Sequence, residues 1–215
     1  PIIDFRAYAV GKNITEGNIG GLQYTSRLEL LPFGEFSSKG DYSQGDLKRE
    51  KSIKAMFGFT YDINENAVKS RSNMGSYLIQ SSGGLFETDI TTIFLDGVIK
   101  YNGFALTGEY ANRDADQIEA LEEDGRTKTG AVVGAGSASN IQGSYLFKNN
   151  FEITARYTNI NFKEITRLSD LNQITFGVSK YVVGHSLKIQ ADISLLNASG
   201  IKDNLLYRTG FDLHF

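Results

Sequence analysis

The sequence predicts an all-β fold, an antiparallel transmembrane β-barrel with about ten strands in this chain, and three observations predict it. Period-two alternation of apolar and polar residues recurs in ten segments. The composition, with 23 Gly against 2 Pro, 14 Phe, 11 Tyr and no Trp, is that of strands and turns. The last segment puts Tyr207, Thr209, Phe211, Leu213 and Phe215 on one face and Arg208, Gly210, Asp212 and His214 on the other. Aromatic groups on one side and charge on the other suit a closed wall with lipid outside and water inside. The residues Tyr207, Phe211, Leu213 and Phe215 read as the membrane-insertion signal of such a wall.

The ten segments follow in order along one domain, 1–215. Outward candidates are Ile3, Phe5, Ala7 and Ala9; then Leu22, Tyr24, Ser26, Leu28 and Leu30; then Phe57, Phe59 and Tyr61. Next come Ile93, Leu95, Gly97, Ile99 and Tyr101, then Phe104, Leu106, Gly108 and Tyr110. The second half continues with Ile141, Gly143, Tyr145 and Phe147; Phe151, Ile153, Ala155 and Tyr157; Ile174, Phe176 and Val178; and Leu187, Ile189, Ala191, Ile193 and Leu195, before the terminal segment. A spanning strand needs only about 9–11 residues, half of them facing the lumen, so average hydropathy conceals such a wall. No apolar run approaches the roughly 20 residues of a membrane helix.

Connection lengths orient the strands, because the turns on the periplasmic side of an outer-membrane barrel are short. Asn102-Gly103, Lys148-Asn149-Asn150 and Val183-Gly184 read as tight hairpins on that side. Gly11–Gly20, Asn64–Glu87, Asp114–Gly136 and Lys163–Leu171 are then external loops, with Ser199–Asp203 a short one. Pro32–Ser52 breaks the rule as a periplasmic connection of about 20 residues, a length the strand pattern does not explain. Its mixed-charge part, Gly40–Lys51, is expected to pack at the periplasmic rim. The chain opens on Pro rather than Met and its first strand starts at once, so the expectation is a mature product or a fragment lacking an N-terminal part.

Several function classes are disfavoured. Zero Cys excludes disulfides and thiolate metal sites, and neither a metal nor another cofactor is expected. A net charge of −3 argues against a nucleic-acid footprint. His185 and His214 both sit near the periplasmic end, unpaired with a nucleophile, so an enzyme is not expected. Gly130–Gly136 resembles a dinucleotide loop only superficially, with neither a preceding parallel strand nor a following helix.

The inward face carries seven basic residues, Arg6, Arg27, Lys100, Arg113, Arg156, Lys188 and Arg208, and seven acidic ones, Glu29, Asp62, Asp96, Glu109, Glu152, Asp192 and Asp212. Such a wall could steer ions, but cross-strand salt bridging is the preferred reading for most of them. Balanced charge gives weak selectivity, so any strong preference must come from loops. In Asn64–Glu87, Lys69, Arg71 and neighbouring hydroxyls could hold an anion, against the alternative of a solvated loop. In Asp114–Asp124 six carboxylates could bind divalent cations or bridge them to lipopolysaccharide; a repulsive solvated loop is the preferred reading.

Size then limits the lumen. About eight strands are filled by their own side chains, whereas 16 to 18 leave a channel. Ten strands with this many inward charges are nearly plugged, unless they belong to a larger pore.

The run Leu28-Glu-Leu-Leu-Pro-Phe-Gly-Glu-Phe36, with Gly40-Asp-Tyr, Gly45-Asp-Leu-Lys-Arg-Glu50 and Phe57-Gly-Phe-Thr-Tyr-Asp62, resembles the phosphate-selective porin O and P family, particularly Bacteroidetes forms. Tyr101–Tyr110, Gln142–Phe147 and Arg208–Phe215 extend the resemblance over most of the chain. It implies that these are the last strands of a barrel of about 16, in a homotrimer, with Asn64–Glu87 folded inward as the constriction.

The expectation is therefore a bacterial outer-membrane porin-like channel for passive diffusion of small hydrophilic or anionic solutes, phosphate being the anion the family suggests. Arg27, Lys69, Arg71, Arg113, Arg156, Lys188 and Arg208 are its pore-lining or anion-contact candidates. Expected partners are outer-membrane lipid, lipopolysaccharide and the barrel-assembly machinery. Two alternatives stand beside it: a non-conducting accessory barrel within a larger envelope complex, and a soluble β-sandwich, which alternation also fits.

Overall fold

The structure, a computed structural model, describes residues 1–11, 21–37, 45–184, 186–198 and 201–213. One ten-stranded antiparallel sheet dominates, and its strands follow chain order as a meander. They are β1 (Ile2–Gly11), β2 (Leu22–Leu31), β3 (Lys54–Ala67), β6 (Thr88–Tyr101), β7 (Phe104–Ala115), β10 (Gly136–Leu146), β11 (Phe151–Phe162), β12 (Leu171–Val183), β13 (Leu187–Ala198) and β14 (Ile201–Leu213). Two small hairpins stand apart in the connections, β4 (Lys69–Arg71) with β5 (Met74–Tyr77), and β8 (Glu119–Leu121) with β9 (Lys128–Val132). β1 and β14 are the sheet's two edges, each paired on one side only. Among the described residues no helix is long and apolar enough to cross a membrane.

The period-two reading holds on the strands inside the sheet, whereas on the edge strand β14 both faces are exposed. Ile3, Phe5, Leu28, Phe57, Phe59, Leu95, Tyr110, Ile141, Ile153, Phe176, Ile189 and Leu195 are all exposed on one face. Asp62, Thr92, Lys100, Gln142, Ser144, Glu152, Thr175, Ser179 and Ser194, on the other, are buried. This inverts a soluble sheet, in which apolar side chains are the covered ones. Toward one end the outward positions turn polar: Asn159 bonds Asn172 at 2.7 Å, and Asn197 bonds Asp203 at 2.6 Å. The apolar band on β13, Leu187 to Leu195, spans eight residue steps, or about 27 Å along the strand.

Turn chemistry sets the two ends of the sheet. At Asn102-Gly103 both residues have positive φ, 47° and 87°, as a two-residue hairpin between right-twisted strands requires. This end, with the turns at 148–150 and 184, is called the turn end. The other, carrying the two hairpins and a 3-10 turn at Glu164–Thr166, is the loop end.

Three boundaries differ from the sequence reading. β3 runs on to Ala67, so the loop expected from Asn64 starts at Val68. The Asp114–Gly136 connection contains the β8–β9 hairpin. β14 begins at Ile201, which leaves only 199–200 between strands where Ser199–Asp203 was expected, and those two lie outside the described residues. So do His185, His214 and Phe215.

Candidate functional site

The polar face is the candidate site, and register determines which of its charges meet. Arg6 faces Arg27 across β1 and β2, while Glu29, Gly58, Asp96 and Glu109 share one row across β2, β3, β6 and β7. Arg27 reaches over β3 to Asp96 with two nearly parallel bonds of 2.7 and 2.8 Å, the forked geometry that favours Arg over Lys. Its Nε donates to Glu29 at 2.8 Å and its Nη1 to Thr60 at 2.9 Å. A β-carbon at Gly58 would lie 2.4 Å from Arg27 Nη2, so the missing side chain is the corridor through which the pair crosses β3. Asp62 accepts from Gln23 at 2.7 Å and Thr25 at 2.5 Å.

Farther along, Arg208 pairs with Asp192 at 2.8 Å. Lys188 stands over the Tyr181 ring at 5.2 Å, and Lys69 over the Tyr77 ring at 4.7 Å. Of the anion-contact candidates, Arg27 and Arg208 are thus held by carboxylates, and Lys69 and Lys188 rest on aromatic rings. Arg156 lines a 690 Å³ recess on β10–β14 and has no hydrogen-bond or ion-pair partner among the described residues. Arg71 and Arg113 line one cavity of 470 Å³ at the loop end. Arg113 donates to Thr92 at 3.2 Å, and Arg71 has no such partner among the described residues. Tyr207, Phe211 and Leu213 are exposed on the apolar face of β14.

Both ends of the face carry packed covers. At the loop end, Ala67, Leu78, Ile90, Ala120 and Val133 form a small core beneath the two hairpins. Gly134 N–H donates to the Ser70 carbonyl at 2.8 Å, and Ser81 donates to both oxygens of Glu122, from its N–H at 2.8 Å and its hydroxyl at 2.5 Å. The β4–β5 turn is tied to the polar face itself: Asn64 donates to Ser72 at 2.7 Å, and Asn73 donates to Gln23.

In the acidic segment Asp114–Asp124, expected as a repulsive solvated loop, four of the six carboxylates, Asp114, Glu119, Glu122 and Asp124, have a partner among the described residues. Glu119 is buried, 2.5 Å from Lys128 and 3.8 Å from Arg167, and Asp114 lies 2.6 Å from Lys163. The Thr127 hydroxyl, with the N–H groups of Thr127 and Arg126, holds the Asp124 carboxyl below its ordinary value. These acids are each paired or hydrogen-bonded, whereas Asp116 and Glu123 have no such partner among the described residues. Among the described residues no group of three or more His, Cys, Asp or Glu is placed to hold a metal ion. Since Lys163 and Asp114 are both about half exposed, Lys163→Ala should lower the unfolding free energy by less than about 0.5 kcal/mol in a denaturant titration.

At the turn end the β2–β3 connection crosses the face as a strap. Phe36 packs with Leu31, Met56 and Val98. Glu50 accepts from Ser37 N–H at 2.6 Å and its hydroxyl at 2.7 Å. Asp46, fully buried, accepts from Glu50 N–H at 2.9 Å and from Gly103 N–H at 2.8 Å, in the β6–β7 turn. Asn102 N–H donates to the Glu50 carbonyl at 2.8 Å. Arg49 donates to the Phe147 carbonyl at 2.6 Å, in the β10–β11 turn. Gly45 lies close to Tyr181, whose hydroxyl donates to Glu152 at 2.7 Å. The connection is long because it must reach from β2 to β11 and β12. Residues 38–44 lie outside the described residues.

Sequence reasoning passed over Gly58, Asp46, Glu50 and Tyr181. A glycine in mid-strand opposite charged neighbours is the one signal that was available for Gly58. Comparison with protein-family models, curated proteins and solved structures gives no match.

Proposed function

We propose that the chain forms part of an outer-membrane β-barrel that passes small hydrophilic or anionic solutes passively. One observation carries the reading: ten consecutive strands expose a band of aromatic and aliphatic side chains on one face and hold ion pairs and buried polar groups on the other. A soluble sandwich would bury that band, and water would penalise its exposure. The wall is taken as ten of about 16 strands, as the resemblance to the phosphate-selective porin O and P family suggests, with β1 and β14 pairing to the strands that complete it. Outer-membrane lipid covers the band, and a bacterial outer membrane is the corresponding location.

Anion preference rests first on Arg71 and Arg113, which share one cavity, and then on Arg156, since Arg27 and Arg208 are already neutralised by carboxylates. The full-length protein reconstituted in a planar bilayer should give conductance steps with anions favoured over cations, and R71A/R113A should lower that ratio at least twofold. Absence of conductance would sink the reading. The strap across the turn end favours a second one, a non-conducting accessory barrel. That protein would stay silent in the bilayer and co-purify with envelope partners.

A further inference from the structure

The geometry points to the loop-end cavity between the β4–β5 hairpin and the polar face as a binding site for amphipathic carboxylates, in which Arg71 and Arg113 take the carboxylate and an apolar wall takes the tail. The site deepens the solute-passing reading and rests on it only for its role in passage.

Two guanidiniums share the 470 Å³ cavity with no carboxylate among its lining groups. Asp62, on β3 in the same row as Thr92 and Arg113, accepts from Gln23 and Thr25, forms no ion pair with Arg113, and attracts it only through space. Arg113 spends one donor on Thr92, and Arg71 spends none on any described residue. Each guanidinium carries five N–H groups in a planar fork that matches a carboxylate. Like charges facing one cavity repel, and an anion between them removes the repulsion.

The rest of the lining narrows the choice of anion. Val132, Ile160, Phe162 and Leu168 give the cavity an apolar wall. A small inorganic oxyanion, hydrated on all sides, would leave that wall wet and unused. A carboxylate with a short aliphatic chain or an aromatic ring uses both parts, and the volume lies within the range of small-molecule sites. Arg71 is positioned by the hairpin and Arg113 by β7, so the cation pair exists only when the hairpin is seated on the polar face through Asn64 and Gln23.

The test is calorimetric titration of the full-length protein in detergent with acetate, butanoate, hexanoate, hexanamide and inorganic phosphate, blanked against empty micelles. Burying methylenes raises affinity by about fourfold each, so hexanoate should bind at least tenfold more tightly than acetate. Hexanamide and phosphate should bind at least tenfold more weakly than hexanoate. R71A/R113A should lose hexanoate binding, and Arg71→Gln alone, on an exposed hairpin, should weaken it at least fivefold if the double variant does not fold. Affinity independent of chain length, phosphate binding as tight as hexanoate, or hexanamide binding equal to hexanoate would each overturn the proposal. Hexanoate binding in a protein that conducts nothing would uphold the site and remove the channel reading.

Discussion

Asp46→Ala should release the strap and destabilise the folded protein by about 3–5 kcal/mol. The Asp46 carboxylate is buried and accepts two backbone N–H groups, from Glu50 within the strap and from Gly103 in the β6–β7 turn. Hydrogen bonds to a charged acceptor contribute about 1.5–3 kcal/mol each, and their loss leaves two covered donors unpaired. The two bonds act together, because one holds the strap's own turn and the other fastens that turn to the sheet. Asp46→Asn keeps one acceptor oxygen and should cost less than half as much. The denaturation midpoint measures the energy, and trypsin cleavage after Lys48, Arg49 or Lys51 measures the release. A variant with unchanged midpoint and unchanged trypsin resistance would remove the docking role assigned to Asp46. In a bilayer the same substitution separates the two functional readings: a conducting barrel should pass more current once the strap is loose, while an accessory barrel should stay silent.

The strap also shows where sequence stops being informative. Its mixed charge gave an expectation of rim packing, and the described part does pack at the turn end. Its purpose stayed hidden because Asp46 is held by the Gly103 N–H and the Glu50 carbonyl by the Asn102 N–H, backbone groups of a turn that carry no side-chain signature. The strands were readable for the opposite reason. Alternation repeats over ten or more residues, so the exposed faces of Leu28, Phe59, Ile141 and Phe176 follow from spacing alone. The three-residue strands β4 and β8 offer one alternation at most, too little for any period to register. Charge balance on the inward face was countable as well, whereas partner choice was not. Arg27 and Asp96 are 69 residues apart and meet only through the pairing of β2, β3 and β6. The pairing of Arg71 with Arg113 in one cavity likewise depends on how the β4–β5 hairpin folds over the face.

Gly58→Ala should cost about 2 kcal/mol, and the cost should depend on Asp96. Strands two apart in a sheet are separated by about 9–10 Å, so a salt bridge between β2 and β6 must lie directly over β3. At Gly58 a β-carbon would stand 2.4 Å from Arg27 Nη2 and 2.7 Å from both carboxylate oxygens of Asp96. One methyl group therefore displaces both partners at once, and Arg27 keeps only Glu29 and Thr60. The Arg27 and Asp96 side chains are about a quarter exposed, so water screens part of the broken pair and holds the cost below that of a buried one. In an Asp96→Ala background the corridor is no longer filled by a carboxylate, and Gly58→Ala should then be at least 1 kcal/mol less damaging. Costs that add to within about 0.5 kcal/mol would mean the glycine serves β3 itself rather than the bridge above it. The opposite outcome ties one backbone position to the neutralisation of Arg27, and so leaves the guanidiniums that no carboxylate pairs, Arg71, Arg113 and Arg156, as the source of any anion preference.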